Sequence, residues 1–392
     1  MRERGRPPGT GRRTGLVLPG GGARGAYQVG VLAAVSDVLG PSSSKRSPFD
    51  IICGTSAGAV NAVVLASHAG DFAHAVGRLR GFWSGLRCAS IYRTDVPTVL
   101  AAALRWLLAL GSGGLLPVAP RSLLDNTPLR QLLARELRLE RLPEAIDAGF
   151  LRGVAVSASA YTRASAISFY QGRHDLEPWE RTRRAGEAVR LDVAHVMASA
   201  ALPLIFPAER IGGEYYGDGG MRMGAPLSPA IHLGADRLLV IGTRDEHPDP
   251  APTSAPVYPG AAAVGGYLLD TVFMDTLQAD LARLQRINDT LSLMTPDQRV
   301  QSTLRPLDVF VIRPSRDLRD LTAEHAASLP GTVKLLLRTL GGWGRDWRMA
   351  SYLMFEASYC QALIDLGYQD GLAQAKDLRR FFDDPRPDAV PA

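Results

Sequence analysis

The segment Gly54-Thr55-Ser56-Ala57-Gly58 constrains this chain more than any other. It follows a short apolar run, residues 49–53, and precedes an Ala-rich stretch, residues 57–66. Strand, Gly-x-Ser-x-Gly, helix is the layout of a nucleophile elbow, a turn so tight that only residues without bulk fit beside the serine. Gly54 and Gly58 support that turn. The Ser56 hydroxyl is pushed outward at the positive end of the next helix, where a serine is a candidate for covalent acyl transfer. The motif alone is weak, because 40 of the 392 residues are glycine and the spacing can arise by chance.

Two further features raise its weight. One is Gly20-Gly21-Gly22-Ala23-Arg24-Gly25, after the apolar run Leu16-Val17-Leu18. Consecutive glycines at a strand end leave backbone N–H groups free to converge on a developing oxyanion. Gly20, Gly21 and Gly22 are therefore candidate oxyanion donors, with Gly25 closing the loop and Arg24 fixing it through its guanidinium. The same letters, Gly20-x-Gly22-x-x-Gly25, match the dinucleotide-binding fingerprint. That fingerprint expects an acidic residue at the end of the second strand, whereas this strand ends in Cys53-Gly54-Thr55-Ser56 and Asp50 lies at its start.

The second feature is Asp218-Gly219-Gly220. An isolated Asp-Gly is an ordinary turn. Here Gly217, Gly219 and Gly220 surround the aspartate, as though a backbone or a ligand approaches closely. Asp218 is the better candidate for the base that Ser56 requires, with burial raising its affinity for the proton. The seven histidines fit that role poorly. His68 and His74 follow the elbow helix too closely, His174 lies in a polar loop, and His195 and His232 fall on expected helices. His247 and His325 come late in the chain, in no tight strand-end setting.

These blocks resemble the patatin-like phospholipases in order and spacing. A fourth block, residues 198–207 (ASAALPLIFP), is similar to the family segment Ala-Ser-x-Ala-x-Pro-x-x-Phe-x-Pro. It is one residue short before the last proline, and Leu204 stands where glycine is common. The resemblance covers about residues 14–245. It implies a three-layer α/β/α sandwich with a mainly parallel central sheet. It also implies a Ser56–Asp218 dyad, an oxyanion hole from Gly20 to Gly22, and supporting roles for Gly219 and Gly220. The implied reaction is hydrolysis of fatty-acyl esters of phospholipids or related lipids through an acyl-serine, without calcium, metal or other cofactor.

The organisation expected is a basic disordered tail over 1–13, a catalytic domain over 14–245, and a mainly helical extension over 246–392 packed on it. Within these, strands are expected at 16–19, 49–53, 153–159, 166–170, 237–242 and 307–312. Helices are expected at 26–39, 72–86, 99–110, 193–201 and 268–293, with 322–366 mostly helical. Residues 215–223 read as a turn-rich piece and 247–259 as a Pro-rich loop.

Hydrophobic residues make up 46% of the chain, enough for a large core. Net charge is +5, yet the arginines are scattered and the only lysines are Lys45, Lys334 and Lys376. That pattern argues against nucleic acid as a partner. An acyl-lipid substrate and peripheral contact with a membrane are the partners expected. Cys53, Cys88 and Cys360 lie too far apart to suggest a disulfide framework or a metal knuckle. With neither a secretory leader nor a spanning segment legible, cytoplasm is the expected compartment.

Overall fold

The computed structural model describes residues 12–40, 46–111, 122–245, 258, 260–271, 276–344 and 347–383. Runs rich in valine, leucine and isoleucine lie at the centre of its sheet, where both faces are covered. The strands are β1 (Thr14–Leu18), β2 (Ile51–Thr55), β3 (Gly153–Ala160), β4 (Ser165–Gly172), β5 (Trp179–Arg181), β6 (Arg184–Ala188), β7 (Glu209–Ile211), β8 (Glu214–Asp218), β9 (Arg237–Ile241) and β10 (Asp308–Ile312). They form one sheet in the order β10-β9-β1-β2-β3-β4-β6-β5, with β8 pairing β3 and β7. The half from β10 to β3 is parallel throughout, while β3–β4, β3–β8, β5–β6 and β7–β8 are antiparallel.

Successive residues of a strand face opposite sides. Leu16 and Leu18 of β1 and Ile52 of β2 enter one core with α1 (Gly25–Leu39), α2 (Ala57–Ser67) and α3 (Phe72–Ser84). Val17, Ile51 and Cys53 enter a second core with Leu227 and Ala230 near the helix Ser228–His232 and Leu277 of the helix Thr276–Ser292. The three layers expected are present, around a mixed sheet. Cys53 is a buried apolar filler, and burial pushes its thiol well above the usual range.

Residues after 245 pack on the earlier elements and add a strand to their sheet. The helix Ala357–Ala373 lies along α1, and the Tyr27 hydroxyl donates to Asp370 at 2.9 Å. Strand β10 extends the sheet beside β9. Tyr352, Phe355 and Tyr359, from the aromatic cluster near the C-terminus, are buried in the first core, with Trp343 and Trp347 half-buried against it.

Several expectations change. The piece 215–223 is not simply turns: β8 runs to Asp218, because Ala158, Ser159 and Ala160 of β3 offer it an antiparallel partner. The long helix over 268–293 is two helices, Ala261–Asp270 and Thr276–Ser292. The helices Thr127–Glu136 and Arg141–Asp147 were not foreseen. The tail lies outside the described residues up to position 11, whereas the Arg12 guanidinium pairs with Asp308 at 2.6 Å and the Arg13 amide donates to Asp236 at 2.8 Å. His247 and nearly all of the 247–259 loop also lie outside the described residues. No described helix is long and apolar enough to cross a membrane.

Candidate active site

The carboxyl ends of β1 and β2, neighbours in register, open side by side. In an α/β sheet, loops at such ends form the ligand crevice. The loop after β1 carries Gly20, Gly21 and Gly22, and the turn after β2 carries Ser56. Asp218 arrives from a third direction, at the end of β8 opposite Ala158.

Ser56 adopts φ 55° and ψ −126°, outside the conformations ordinary residues favour. Strain of this kind persists only where the surroundings over-determine it. Here α2 follows immediately. A Cβ on Gly58 would lie 2.1 Å from the Leu18 carbonyl oxygen, so nothing larger than glycine lets the turn seat against β1. The Ser56 amide donates to Ser199 Oγ at 2.8 Å, and Ser199 in turn donates to the Ser157 carbonyl at 2.6 Å. Ser199, fully buried, thus fastens the elbow to β3. It lies in the fourth sequence block, which marked the segment without revealing this role.

Asp218 is fully buried. Its Oδ1 accepts from the Gly220 amide at 2.9 Å, and its own amide donates to the Ala201 carbonyl at 2.8 Å. Oδ2 has no hydrogen-bond partner of normal geometry among the described residues. Burial pushes this carboxyl up to about 7, while the neighbouring Ser56 hydroxyl and the Gly220 amide draw it part of the way back. Gly219 and Gly220 form a short 3-10 turn directly after Asp218. Tyr161 lies on the other side, its hydroxyl 2.6 Å from where a Cβ on Gly217 would be, and no local sequence signal pointed to it.

The glycine loop divides in two. Gly22, at φ +55°, lines an apolar cavity together with Ser56, Val60, Trp83, Leu202 and Phe206. Gly20 instead faces a small separate cavity with Gly54, Thr55 and Gly220, its carbonyl accepting from Thr243 at 3.0 Å. Gly21 closes the turn, its carbonyl accepting the Arg24 amide at 3.1 Å. Gly25 opens α1 and accepts from Asn61 at 3.1 Å. None of the described histidines lines either cavity.

Arg24 points away from both cavities and into the protein. Its guanidinium donates to Ser351 Oγ at 2.9 and 2.6 Å and to Asp270 at 3.2 Å, and it stacks 4.2 Å over the Tyr352 ring. Asp270 also accepts from the Tyr352 hydroxyl at 2.7 Å and lies 3.1 Å from Arg348. Arg24 therefore anchors the glycine loop to the helices Ala261–Asp270 and Arg348–Leu353. Asp270, Ser351 and Tyr352 carried no sequence signal, because they act only through a pairing across more than 240 residues.

A sheet covered on both faces, with a strained serine at a strand-to-helix turn beside a glycine loop, defines an α/β protein whose candidate site lies at the strand ends. The sequence model of the patatin-like phospholipase family matches residues 16–231, and the chain belongs to that family. The cGAMP-activated phospholipase of Pseudomonas aeruginosa is 28% identical over 217 residues, which is 55% of each chain. Lysophospholipase NTE1 of Chaetomium globosum is 42% identical over 83 residues, 21% of this chain and 5% of that protein. The chain thus spans about half the length of the first relative and a small part of the second. Among solved structures, VipD from Legionella pneumophila aligns over 93% of this chain and 67% of its own, at 13% identity and a TM-score of 0.36.

Proposed function

We propose that the protein is a serine lipid acyl hydrolase that cleaves fatty-acyl esters of phospholipids or related lipids with a Ser56–Asp218 dyad. The observation that carries this reading is the buried, proton-hungry Asp218 carboxyl beside a strained serine that lines an apolar cavity. Family membership supports the same reading.

In the reaction, Asp218 accepts the Ser56 proton as the serine oxygen attacks the ester carbonyl. Backbone N–H groups of the Gly20–Gly22 loop hold the oxyanion, each such donor being worth about 2.7–4 kcal/mol in comparable sites. Gly22 shares the cavity with Ser56 and is the best placed of the three. The tetrahedral intermediate collapses, Asp218 returns the proton to the departing alcohol, and the acyl group stays on Ser56. Water then attacks the acyl-serine with Asp218 again accepting a proton, which returns to Ser56 as the fatty acid leaves. A carboxyl near 7 is matched to moving a proton at neutral pH. No step uses calcium.

A fluorophosphonate probe with mass-spectrometric mapping tests this on wild type, Ser56→Ala and Asp218→Asn. The expected result is an adduct on Ser56 that forms far more slowly in Asp218→Asn. Full lipid-ester hydrolysis by Ser56→Ala would overturn the reading.

A further inference from the structure

A second apolar cavity, much larger than the one that Ser56 lines, lies nearby. It measures about 460 Å³ and lies between the helices Ala261–Asp270 and Gly331–Thr339, which follow the segment that the family model matches, and residues 203–205 of that segment. Each helix turns one stripe toward it: Ala261, Gly265, Leu268 and Leu269 from the first, Val333, Leu336 and Leu337 from the second. An amphipathic stripe is normally buried against a partner. Here two stripes face each other across open space. Protein interiors hold few voids larger than a water molecule, and this one has the size of a ligand site. All sixteen residues that line it are leucine, isoleucine, valine, methionine, alanine, proline or glycine. No lining side chain offers a hydrogen bond to a polar guest. Such an apolar lining suits a hydrocarbon guest.

Its position relative to the candidate site is specific. The loop over 202–206 separates the two cavities: Leu202 and Phe206 line the one at Ser56, while Pro203, Leu204 and Ile205 line the large one. Phe355 and Leu353 divide in the same way. Met221, in the turn that starts directly after Asp218, lines the large cavity too. Leu204 and Leu268 mark its mouth, 66% and 56% exposed although both line it. Leu204 is held at φ 65°, a conformation that disfavours any side chain, at the position where the family resemblance leads one to expect glycine. A strained, exposed leucine at the mouth of an apolar cavity is costly unless something apolar covers it.

We propose that this cavity seats the second hydrocarbon chain of a two-chain lipid, the chain that remains with the leaving group. The inference rests on the hydrolase reading above. The scissile chain starts at the carbonyl on Ser56 and places its first carbons in the cavity of about 40 Å³ that Ser56 lines. The chain on the leaving-group side passes over the 202–206 partition into the larger cavity. The preferred substrate class is then a diacyl lipid rather than a monoacyl one.

The test compares diacylphosphatidylcholine with lysophosphatidylcholine carrying the same scissile chain, in wild type, Leu336→Trp and Leu204→Gly. The indole of Leu336→Trp projects into the cavity and obstructs it, and Leu204→Gly opens its mouth while relieving the backbone. Wild type is expected to prefer the diacyl lipid, and Leu336→Trp to lower the diacyl-to-monoacyl ratio of kcat/KM at least tenfold, with a smaller fall in Leu204→Gly. A second readout does not depend on turnover. Wild type is capped at Ser56 by a long-chain alkyl fluorophosphonate and titrated with the fluorescent fatty acid cis-parinaric acid. The capped protein is expected to take one equivalent, and capped Leu336→Trp none. Capping with an unmoved ratio, or with no parinarate bound, overturns the second-chain assignment alone. Failure to cap Ser56, together with no lipid hydrolysis by wild type, overturns the hydrolase reading and this inference with it.

Discussion

The carbonyl oxygen of Tyr352 lies so close over Gly22 that a Cβ on the glycine would come within 2.3 Å of it. A residue of the late helices thus presses directly on the loop that faces Ser56. Because Gly22 also sits at φ +55°, alanine there meets both the carbonyl and an unfavourable backbone. Gly22→Ala is expected to lower kcat on a soluble ester by about 100-fold or more, since displacing one oxyanion donor has that effect. Steady-state kinetics on a variant shown by circular dichroism to be folded checks this. An unchanged kcat would separate Gly22 from the oxyanion.

Asp218 links activity and stability to pH with opposite signs. Its carboxyl must be charged to accept the Ser56 proton, so kcat/KM is expected to rise through about pH 7 and to level off above it. The pH–rate profile of a soluble ester over pH 5–9 reads this directly.

The folded pKa of Asp218 is raised above its unfolded value, so between about pH 4 and 7 the native state holds a proton that the unfolded chain has lost. Stability from this group is therefore greatest at low pH and declines as pH rises through about 7. Asp218→Asn removes the buried charge. Relative to wild type it is expected to gain stability between pH 5 and pH 8, by about 3 kcal/mol at most. Denaturant unfolding of both proteins at the two pH values checks the sign.

Leu204 carries strain that a glycine would release. A left-handed conformation costs a side chain about 1–2 kcal/mol, and two-thirds of this side chain is exposed, so little packing is lost on removing it. Leu204→Gly is expected to unfold at the same or a higher denaturant midpoint than wild type. A fall of more than about 1 kcal/mol would mean that the leucine packs more strongly than its exposure indicates.

The Arg24–Asp270 pair is buried on both sides. Removing Arg24 takes one of two arginines from Asp270, which Arg348 still faces at 3.1 Å, so the cost is expected to stay below the about 3–5 kcal/mol of a fully orphaned buried charge. Arg24→Met is expected to show that loss by chemical denaturation, and adding Asp270→Asn is expected to recover part of it. Additive losses would show that the two residues act independently.

The elbow, the glycine loop and the central strands were legible because each is local. Residues 49–53 announce a buried strand, and glycines bracket Ser56 within five positions. Asp218 stood out by its three glycines, yet the strand that delivers it did not. Strand β8 exists because β3 has a free edge near Ala158, and no residue of 214–218 names that partner. The same limit hid the tie between Arg24 and Asp270, and the antiparallel half of the sheet. The large cavity was hidden more deeply. Its two stripes read as ordinary core-facing helices, and only their placement shows that they face space.

The Tyr27–Asp370 hydrogen bond joins residues 343 positions apart. A ribosome releases α1 long before it makes the helix that covers α1, and the glycine loop gains its contact with Tyr352 only then. During that interval the first helix presents a bare apolar flank to every other nascent chain nearby. The flank of α1 is therefore covered only by residues made more than 300 positions later, a contact order that favours slow closure of this layer.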